Sequence, residues 1–284
     1  MNDETYSGLL KTGADKLRQA GVSEPVREAR RIIELATGFT AAALIAREAE
    51  TAAAGHIRSF HDFLDRRAKR APFAHLKGKA WFYGLELKSD ARALIPRPDS
   101  ECVVDLALNL ISENADWKIA DLGTGTGALL AAILTHRPRA VGIGVEQNPG
   151  AHRLASENIS LLGLGERADI VLGSWTEWDE WGTCDLIISN PPYIESKVIA
   201  ELEPEVKDHD PLDALDGGED GLDAYREIIG RGANKMKSGA YLVLEIGFDQ
   251  KSSVSNLLKA VGFTDLTHKQ DLGGNDRAIA AIKT

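Results

Sequence analysis

Apolar positions in the first quarter of the chain recur at helical spacing. Tyr6, Leu9, Leu10, Ala14 and Leu17 fall on one side of a helix. Ser23-Glu24-Pro25 reads as the next helix start, with Ser23 as N-cap, Pro25 in the first turn and Gly38 as the stop. A further helix carries Ile57, Phe60, Phe63 and Leu64 on one side and Arg58, Arg66, Arg67, Lys69 and Arg70 on the other. That basic side is either a solvated face or a docking surface for a partner of negative charge. The pattern then changes. Lys79 to Lys88 is aromatic and strand-like, with Gly84 at a turn or bulge. Two prolines exclude a helix from Arg92 to Glu101, and helical spacing returns from Cys102 to Ile111.

From Lys118 onward strand-like and helix-like stretches alternate. Strands are predicted over residues 119–122, 140–146, 168–173, 185–189 and 240–246, with helices over 127–135, 148–162, 222–236 and 250–261. Two last strands, near 264–268 and 277–282, are joined through Gly273 and Gly274, a connection short enough to imply an antiparallel hairpin. This order predicts an α/β fold: a doubly wound, mostly parallel seven-stranded sheet with a C-terminal antiparallel hairpin, preceded by a small helical domain. The expected division is a helical domain over residues 1–75, a β-rich bridge over 76–97 and the sheet domain over 98–284.

Composition narrows the chemistry. Of 284 residues, 43% are hydrophobic and 27% charged, as in globular proteins. Residues 1–75 carry a net charge of +2 and the remainder −12, which disfavours a globally basic nucleic-acid binder and suggests two modules with different jobs. Cys102 and Cys184 form no metal-spaced pair, so no metal site is expected, and their usage fits a reducing cytoplasm. The acidic start Met1-Asn2-Asp3-Glu4 leads into no apolar stretch, and no apolar run reaches the ~18 residues of a membrane span.

Two loops carry the candidate chemistry. Asp121-Leu122-Gly123-Thr124-Gly125-Thr126-Gly127 links the first strand of the alternating region to its helix. Its glycines allow a sharp turn and a close approach to a ligand. Glu146, at the end of the next strand, can accept hydrogen bonds from both hydroxyls of a ribose. Gly123, Gly125 and Ala128 also satisfy the dinucleotide fingerprint, so a nicotinamide cofactor and an adenosyl cofactor both remain open at this point. The second loop, Asn190-Pro191-Pro192-Tyr193, follows the fourth strand. The Asn190 oxygen and the Pro191 carbonyl can accept the two N–H bonds of a planar NH2 group, and Tyr193 can stack on or cover it. The prolines stiffen the loop, so the acceptors are held in advance.

Asn190 to Tyr193 after a glycine loop resembles the amino-methyltransferases that use S-adenosylmethionine. Three further segments resemble the bacterial release factor glutamine methyltransferase family: Ile95-Pro96-Arg97-Pro98-Asp99-Ser100-Glu101, Ala214 to Leu222, and Leu244-Glu245-Ile246-Gly247 with Asp271 to Arg277. Asp99-Ser100-Glu101 stands where the family has Glu-Thr-Glu, and Glu146 where it usually has Asp. The resemblance implies methyl transfer from S-adenosylmethionine, leaving S-adenosylhomocysteine, to the side-chain amide nitrogen of glutamine in the Gly-Gly-Gln loop of peptide chain release factors. It implies that Asp121, Gly123 to Gly127, Glu146, Trp175 and Asn190 hold the cofactor. It also implies that Asn190, Pro191, Pro192 and Tyr193 form the catalytic and substrate-binding loop. Alternatives are a ribosomal protein glutamine methyltransferase, an adenine N6 methyltransferase on DNA or RNA, a non-catalytic adapter and a dehydrogenase. Residues 201–227 hold 11 acidic and two basic residues, either a solvated face or a lid for a basic protein partner, and their charge opposes a phosphate backbone. A cytoplasmic, monomeric enzyme with a protein substrate is expected, without membrane or nucleic-acid contact, its helical domain recognising the partner.

Overall fold

The computed structural model describes residues 4–284; the Met1–Asp3 start used above lies outside the described residues. In chain order the helices are α1 (Tyr6–Gln19), α2 (Pro25–Thr37), α3 (Ala41–Ala46), α4 (Ala54–Ala68), α5 (Phe73–Lys77), α6 (Glu101–Leu110), α7 (Ala128–His136), α8 (Pro149–Leu161), α9 (Pro204–Lys207), α10 (Asp223–Lys235) and α11 (Lys251–Ala260). The strands are β1 (Lys79–Phe82), β2 (Leu85–Lys88), β3 (Lys118–Leu122), β4 (Val141–Glu146), β5 (Ala168–Leu172), β6 (Leu186–Ser189), β7 (Tyr241–Glu245), β8 (Phe263–Gln270) and β9 (Asp276–Lys283). The short helices α3, α5 and α9 hold too few residues to show a period in the sequence.

The chain divides into two compact units. One comprises the described residues up to Gly78 together with Pro204–His209; the other comprises Lys79–Glu203 and Asp210–Thr284. Residues from Lys79 onward therefore join the sheet unit rather than forming a separate bridge, because Phe82 and Leu87 are buried in its core.

In the helical unit, Leu9, Leu17, Ile32, Ile33, Phe60 and Leu64 are fully buried. Gly13 permits the close packing of α1 on α4: a Cβ there would lie 2.8 Å from Phe60 Cζ. Pro25 opens α2, but Glu24, not Ser23, occupies the cap, with a left-handed φ of 49°. Proline bars its predecessor from the right-handed helical region, which puts the break at Glu24. Gly38, at φ 72°, closes the helix with its N–H on the Glu34 carbonyl.

Part of the basic side of α4 is turned inward: Arg67 is buried and Arg70 half-buried, while Arg58, Arg66 and Lys69 are exposed. Arg67 donates to Glu28 Oε2 and Glu205 Oε1, both at 2.9 Å. Arg70 donates through Nε and Nη2 to the two oxygens of Glu205, at 2.8 and 2.5 Å, and through Nη1 to the Gly21 carbonyl. Arg66 donates to the His75 carbonyl. Two residues of the basic face, Arg67 and Arg70, thus pair with one residue of the acidic 201–227 stretch. Distant charge pairing of this kind leaves no periodic trace in a sequence, and neither of the earlier readings of these two segments included it.

In the sheet unit, β1 and β2 form a hairpin through Tyr83 and Gly84, at φ 49° and 77°. The main sheet runs β5-β4-β3-β6-β7-β9-β8; its first five strands are parallel, and β9 is antiparallel to both β7 and β8. Alternate residues face opposite layers. Ile119, Leu186, Ile188 and Val243 join α6 and α7 in one core, while Ala120, Leu122, Ile187, Leu242 and Leu244 join α10 and α11 in the other. Residues 98–100 form a 3-10 turn leading into α6, where a helix had been excluded; Pro98 occupies a first-turn position that needs no N–H donor. The chain leaves β3 towards β4 and β5, then returns to lay β6 on the other side of β3. This is the reversal point at which open α/β sheets form a crevice beyond their strand ends.

Burial works against ionisation of Glu205, but the Arg70 and Arg67 guanidinium groups outweigh it and hold the carboxyl down to about 2. A free glutamate titrates near ~4.3. With the folded value the lower one, this cluster contributes fully above about pH 4.3 and loses its contribution as pH falls towards about 2. Glu205→Gln is therefore expected to give a shallower fall in Tm than the wild type between about pH 5 and pH 3. Thermal melting across that range measures it, and equal slopes would contradict the ion cluster.

Candidate active site

The glycine loop leaves β3 with Gly123, Gly125 and Gly127 at φ 68°, 57° and 80°, left-handed values that side chains rarely adopt. Gly123 and Thr124 donate their N–H groups to the Val145 carbonyl, at 2.8 and 3.1 Å. Glu146 holds the loop from the next strand. Its Oε2 accepts from Gly125 N at 2.9 Å and its Oε1 from Asn148 N at 2.8 Å. Burial raises the Glu146 carboxyl, with the Asn148 and Gly125 donors opposing. Asp121 is buried and accepts from the Thr124 hydroxyl at 2.6 Å; burial pushes it up to about 7 against that bond. A Cβ on Gly123 would sit 3.1 Å from Trp175 Cζ3, so the indole needs glycine at this position.

These groups open onto one pocket of the sheet unit, about 900 Å³ including the open space at its mouth. Asp121, Gly123, Thr124, Gly125, Thr126, Glu146, Trp175, Asn190 and Pro192 line it, joined by Ile95–Arg97, Ser100 and Asp213. The two loops predicted from sequence therefore share a pocket. Gly127, Pro191 and Tyr193 are not in its lining. Gly127 is the left-handed cap of α7, and Pro191 is buried.

Tyr193 departs most from expectation. Its ring packs against the core beneath β7, and its hydroxyl donates to Glu245 Oε1 at 3.3 Å rather than covering the pocket. A buried carboxylate within reach of a phenol draws it inward. Burial, with the Glu245 charge beside it, raises the phenol well above its usual range. The backbone of this loop is clamped from behind. Gln250 Nε2 donates to the Tyr193 carbonyl at 3.0 Å and to the Gly221 carbonyl at 3.2 Å. Ile194 N donates to the Leu215 carbonyl, and Gly217 N to the Ile194 carbonyl. A Cβ on Gly217 would lie 2.8 Å from Tyr193 Cα, and one on Gly221 2.4 Å from the Tyr193 oxygen. The Ala214–Leu222 segment thus needs its glycines to let two stretches of backbone touch.

Ser100, Glu245 and Gln250 complete the surroundings and carried no assigned chemistry in the sequence reading. Asn190 Nδ2 approaches Ser100 Oγ at 3.4 Å. Glu245 is buried, and burial pushes its carboxyl up to about 7 against the Ser100 hydroxyl, the Arg277 charge and Tyr193. Asp271 accepts from Arg277 at 3.1 Å and from the backbone of Gly273 and Asn275, which sets the turn before β9. Cys102 and Cys184 are buried; burial pushes the Cys102 thiol up to about 12. Among the described residues no group of three or more His, Cys, Asp or Glu is placed to hold a metal ion, and no helix is long and apolar enough to cross a membrane.

Comparison with known proteins follows the same division. The model of the PrmC N-terminal domain matches residues 8–78, and that of the methyltransferase small domain matches residues 102–203. The release factor glutamine methyltransferase of Caulobacter vibrioides is 38% identical over 269 residues, covering 95% of this chain and 93% of that protein. The one of Agrobacterium fabrum is 36% identical over 281 residues, covering 98% and 97%. Among solved structures, the hMettl16 catalytic domain in complex with MAT2A 3'UTR hairpin 1 matches with a TM-score of 0.57 at 14% identity, over 78% of this chain and 80% of that one; this likeness bears on the fold alone. Joined to a sheet that sets a glycine loop beside Asn190, these full-length similarities show that the chain belongs to the release factor glutamine methyltransferase family.

Proposed function

We propose that this chain transfers a methyl group from S-adenosylmethionine to the side-chain amide nitrogen of the glutamine in the Gly-Gly-Gln loop of peptide chain release factors. The observation that carries this reading is that Asn190 and Pro192 line the same pocket as Gly123–Thr126 and Glu146.

The residues present suit the cofactor. Each Glu146 oxygen accepts one backbone N–H, which leaves lone pairs for ribose hydroxyls. Trp175 and the bare backbone of Gly123 offer a flat apolar surface for adenine. Asp121 Oδ1 and Trp175 Nε1 are buried without hydrogen-bond partners, polar groups that a ligand can use. When bound, S-adenosylmethionine supplies an electrophilic methyl group carried on a sulfonium.

The protein's part is alignment. An amide nitrogen is a weak nucleophile, because its lone pair is shared with the carbonyl. The Asn190 side-chain oxygen and the Pro191 carbonyl accept its two N–H bonds and fix where the nitrogen points. Alignment of this kind can contribute about 7–11 kcal/mol to a reaction barrier. The same acceptors stabilise positive charge that grows on the NH2 group during transfer. Tyr193 supports the loop from behind through its hydroxyl on Glu245. Recognition of the whole release factor falls to the helical unit, and the working form is a cytoplasmic monomer.

The test is incubation with S-adenosylmethionine and three acceptors: a release factor, a ribosomal protein fraction and DNA. Mass spectrometry is expected to find one methyl group on the glutamine of the Gly-Gly-Gln loop; a methyl on adenine or on a ribosomal protein would overturn the substrate assignment. Asn190→Ala is expected to lower turnover by about 100-fold or more, while the cofactor Kd changes less than about threefold. Equal losses in both would remove the aligning role. Glu146→Ala frees Gly125 N and Asn148 N and removes the ribose acceptor, so calorimetry is expected to show cofactor binding weakened at least about tenfold. Unchanged binding would place the ribose elsewhere.

A further inference from the structure

The first three residues of the glycine loop are held by β4 and its end: Gly123 and Thr124 by the Val145 carbonyl, Gly125 by Glu146. Thr126 is held from elsewhere. Its carbonyl accepts from Asn158 Nδ2 at 2.9 Å in the buried interior. Asn158 stands on α8 and is 0% exposed. Its second Nδ2 proton goes to the Lys88 carbonyl at 3.2 Å, and its Oδ1 accepts from Lys88 N at 2.8 Å. The side chain thus exchanges two bonds with Lys88, as a paired β-residue would, and gives its remaining proton to the loop. Turning the amide over would set its oxygen against two carbonyls and its nitrogen against an N–H, in a position closed to solvent.

What Asn158 joins to the loop is the start of a second wall of the pocket. Lys88 ends β2, and the chain then runs along α8. The Arg92 guanidinium donates to both Glu157 oxygens, at 2.8 and 3.2 Å, and Ala93 packs with Ala151 and Leu154. Arg92, Ala93 and Ile95–Arg97 then line the pocket. The same helix also meets the loop directly: a Cβ on Gly127 would lie 3.5 Å from that of Ala155. Asn158 therefore stands where the loop and this wall are fastened to each other, without itself lining the pocket.

We propose that Asn158 is a positioning residue for cofactor binding, one buried amide that sets the glycine loop against the 88–97 wall and so fixes the width of the pocket between them. The proposal rests on the reading above of this loop as the seat of S-adenosylmethionine. It adds that the shape of the seat is fixed from α8, by a side chain outside the pocket.

The experiment compares Asn158→Asp, Asn158→Ser and Leu258→Ala in the full-length protein. Asn158→Asp keeps the shape but puts an oxygen where both donors were, facing the Thr126 and Lys88 carbonyls. Asn158→Ser is too short to reach both partners. Leu258→Ala opens the core under α11 and serves as a control for lost stability. Calorimetry with S-adenosylhomocysteine, well below every Tm, is expected to show Kd weakened at least about tenfold in both Asn158 variants, the scale of one hydrogen bond. In Leu258→Ala the Tm is expected to fall while Kd stays within about twofold. In turnover, the KM for S-adenosylmethionine is expected to rise by the same factor as Kd, with kcat within about threefold of wild type. A merely structural role would lower kcat through lost folded protein and leave KM alone. Unchanged Kd in the Asn158 variants, or equal weakening in Leu258→Ala, would overturn the proposal.

A further readout needs neither ligand nor activity: hydrogen exchange followed by NMR. Both Asn158 side-chain protons are expected to exchange slowly in the wild type. The Gly125 and Gly127 amides are expected to exchange faster in Asn158→Asp, while those of Val243 and Leu244 in β7 keep wild-type protection. Fast exchange of either side-chain proton in the wild type, or unchanged loop amides in the variant, would also overturn it. Faster loop exchange in the variant, with a wild type that binds no S-adenosylhomocysteine, would retain the tie between loop and wall and reject the cofactor reading instead.

Discussion

The site depends on the pairing of β3 with β6. The two strands are parallel, so their carboxyl ends lie at the same edge of the sheet, with Leu122 opposite Ser189. Ser189 Oγ donates to the Leu122 carbonyl at 2.7 Å in the buried interior, pinning this register at its last residue pair. From there one strand continues into the glycine loop and the other into Asn190. A slip of one residue would exchange the faces of β6, sending Leu186 and Ile188 to the layer that Ile187 now fills. Neither loop need find the other by its own chemistry, because the sheet brings them together.

What the sheet brings together, buried polar groups hold still. Glu146 ties down the glycine loop by accepting from Gly125 and Asn148. Gln250 ties down the Asn-Pro-Pro-Tyr loop by donating to the Tyr193 and Gly221 carbonyls while accepting from Gly247 N. Both clamps are side chains that reach across to backbone, so both restrict main-chain motion, Glu146 from the pocket lining and Gln250 from outside it. Such networks rigidify only when their members are satisfied. The glycines of Ala214–Leu222 belong to the same design, because a Cβ at Gly217 or Gly221 would push the Tyr193 backbone away. Preorganisation suits a reaction in which the protein mainly aligns two reactants.

The alternating sheet, its antiparallel end and the helical start of the chain were legible because each depends on local periodicity, as Ile119/Ala120 and Leu242/Val243 show by facing opposite cores. The two ligand loops were legible because glycine and proline mark backbone requirements directly. Three features were not. Tyr193 turns inward because Glu245, 52 residues later, is buried beneath it, and no pattern around either residue reports that meeting. Glu205 joins the helical unit through Arg67 and Arg70, more than 130 positions earlier, where composition shows only two runs of opposite charge. Ser100 was visible as part of a family segment, but its meeting with Asn190, at 3.4 Å, joins residues 90 positions apart.

The central claim is that acceptors on one loop align a primary amide for methyl transfer. The most direct measurement is a crystal structure with S-adenosylhomocysteine and a Gly-Gly-Gln peptide. The account predicts the glutamine nitrogen within about 3 Å of both Asn190 Oδ1 and the Pro191 carbonyl, on the side facing the cofactor sulfur. A glutamine seated elsewhere, or an Asn190 that presents its nitrogen to the substrate, would contradict it.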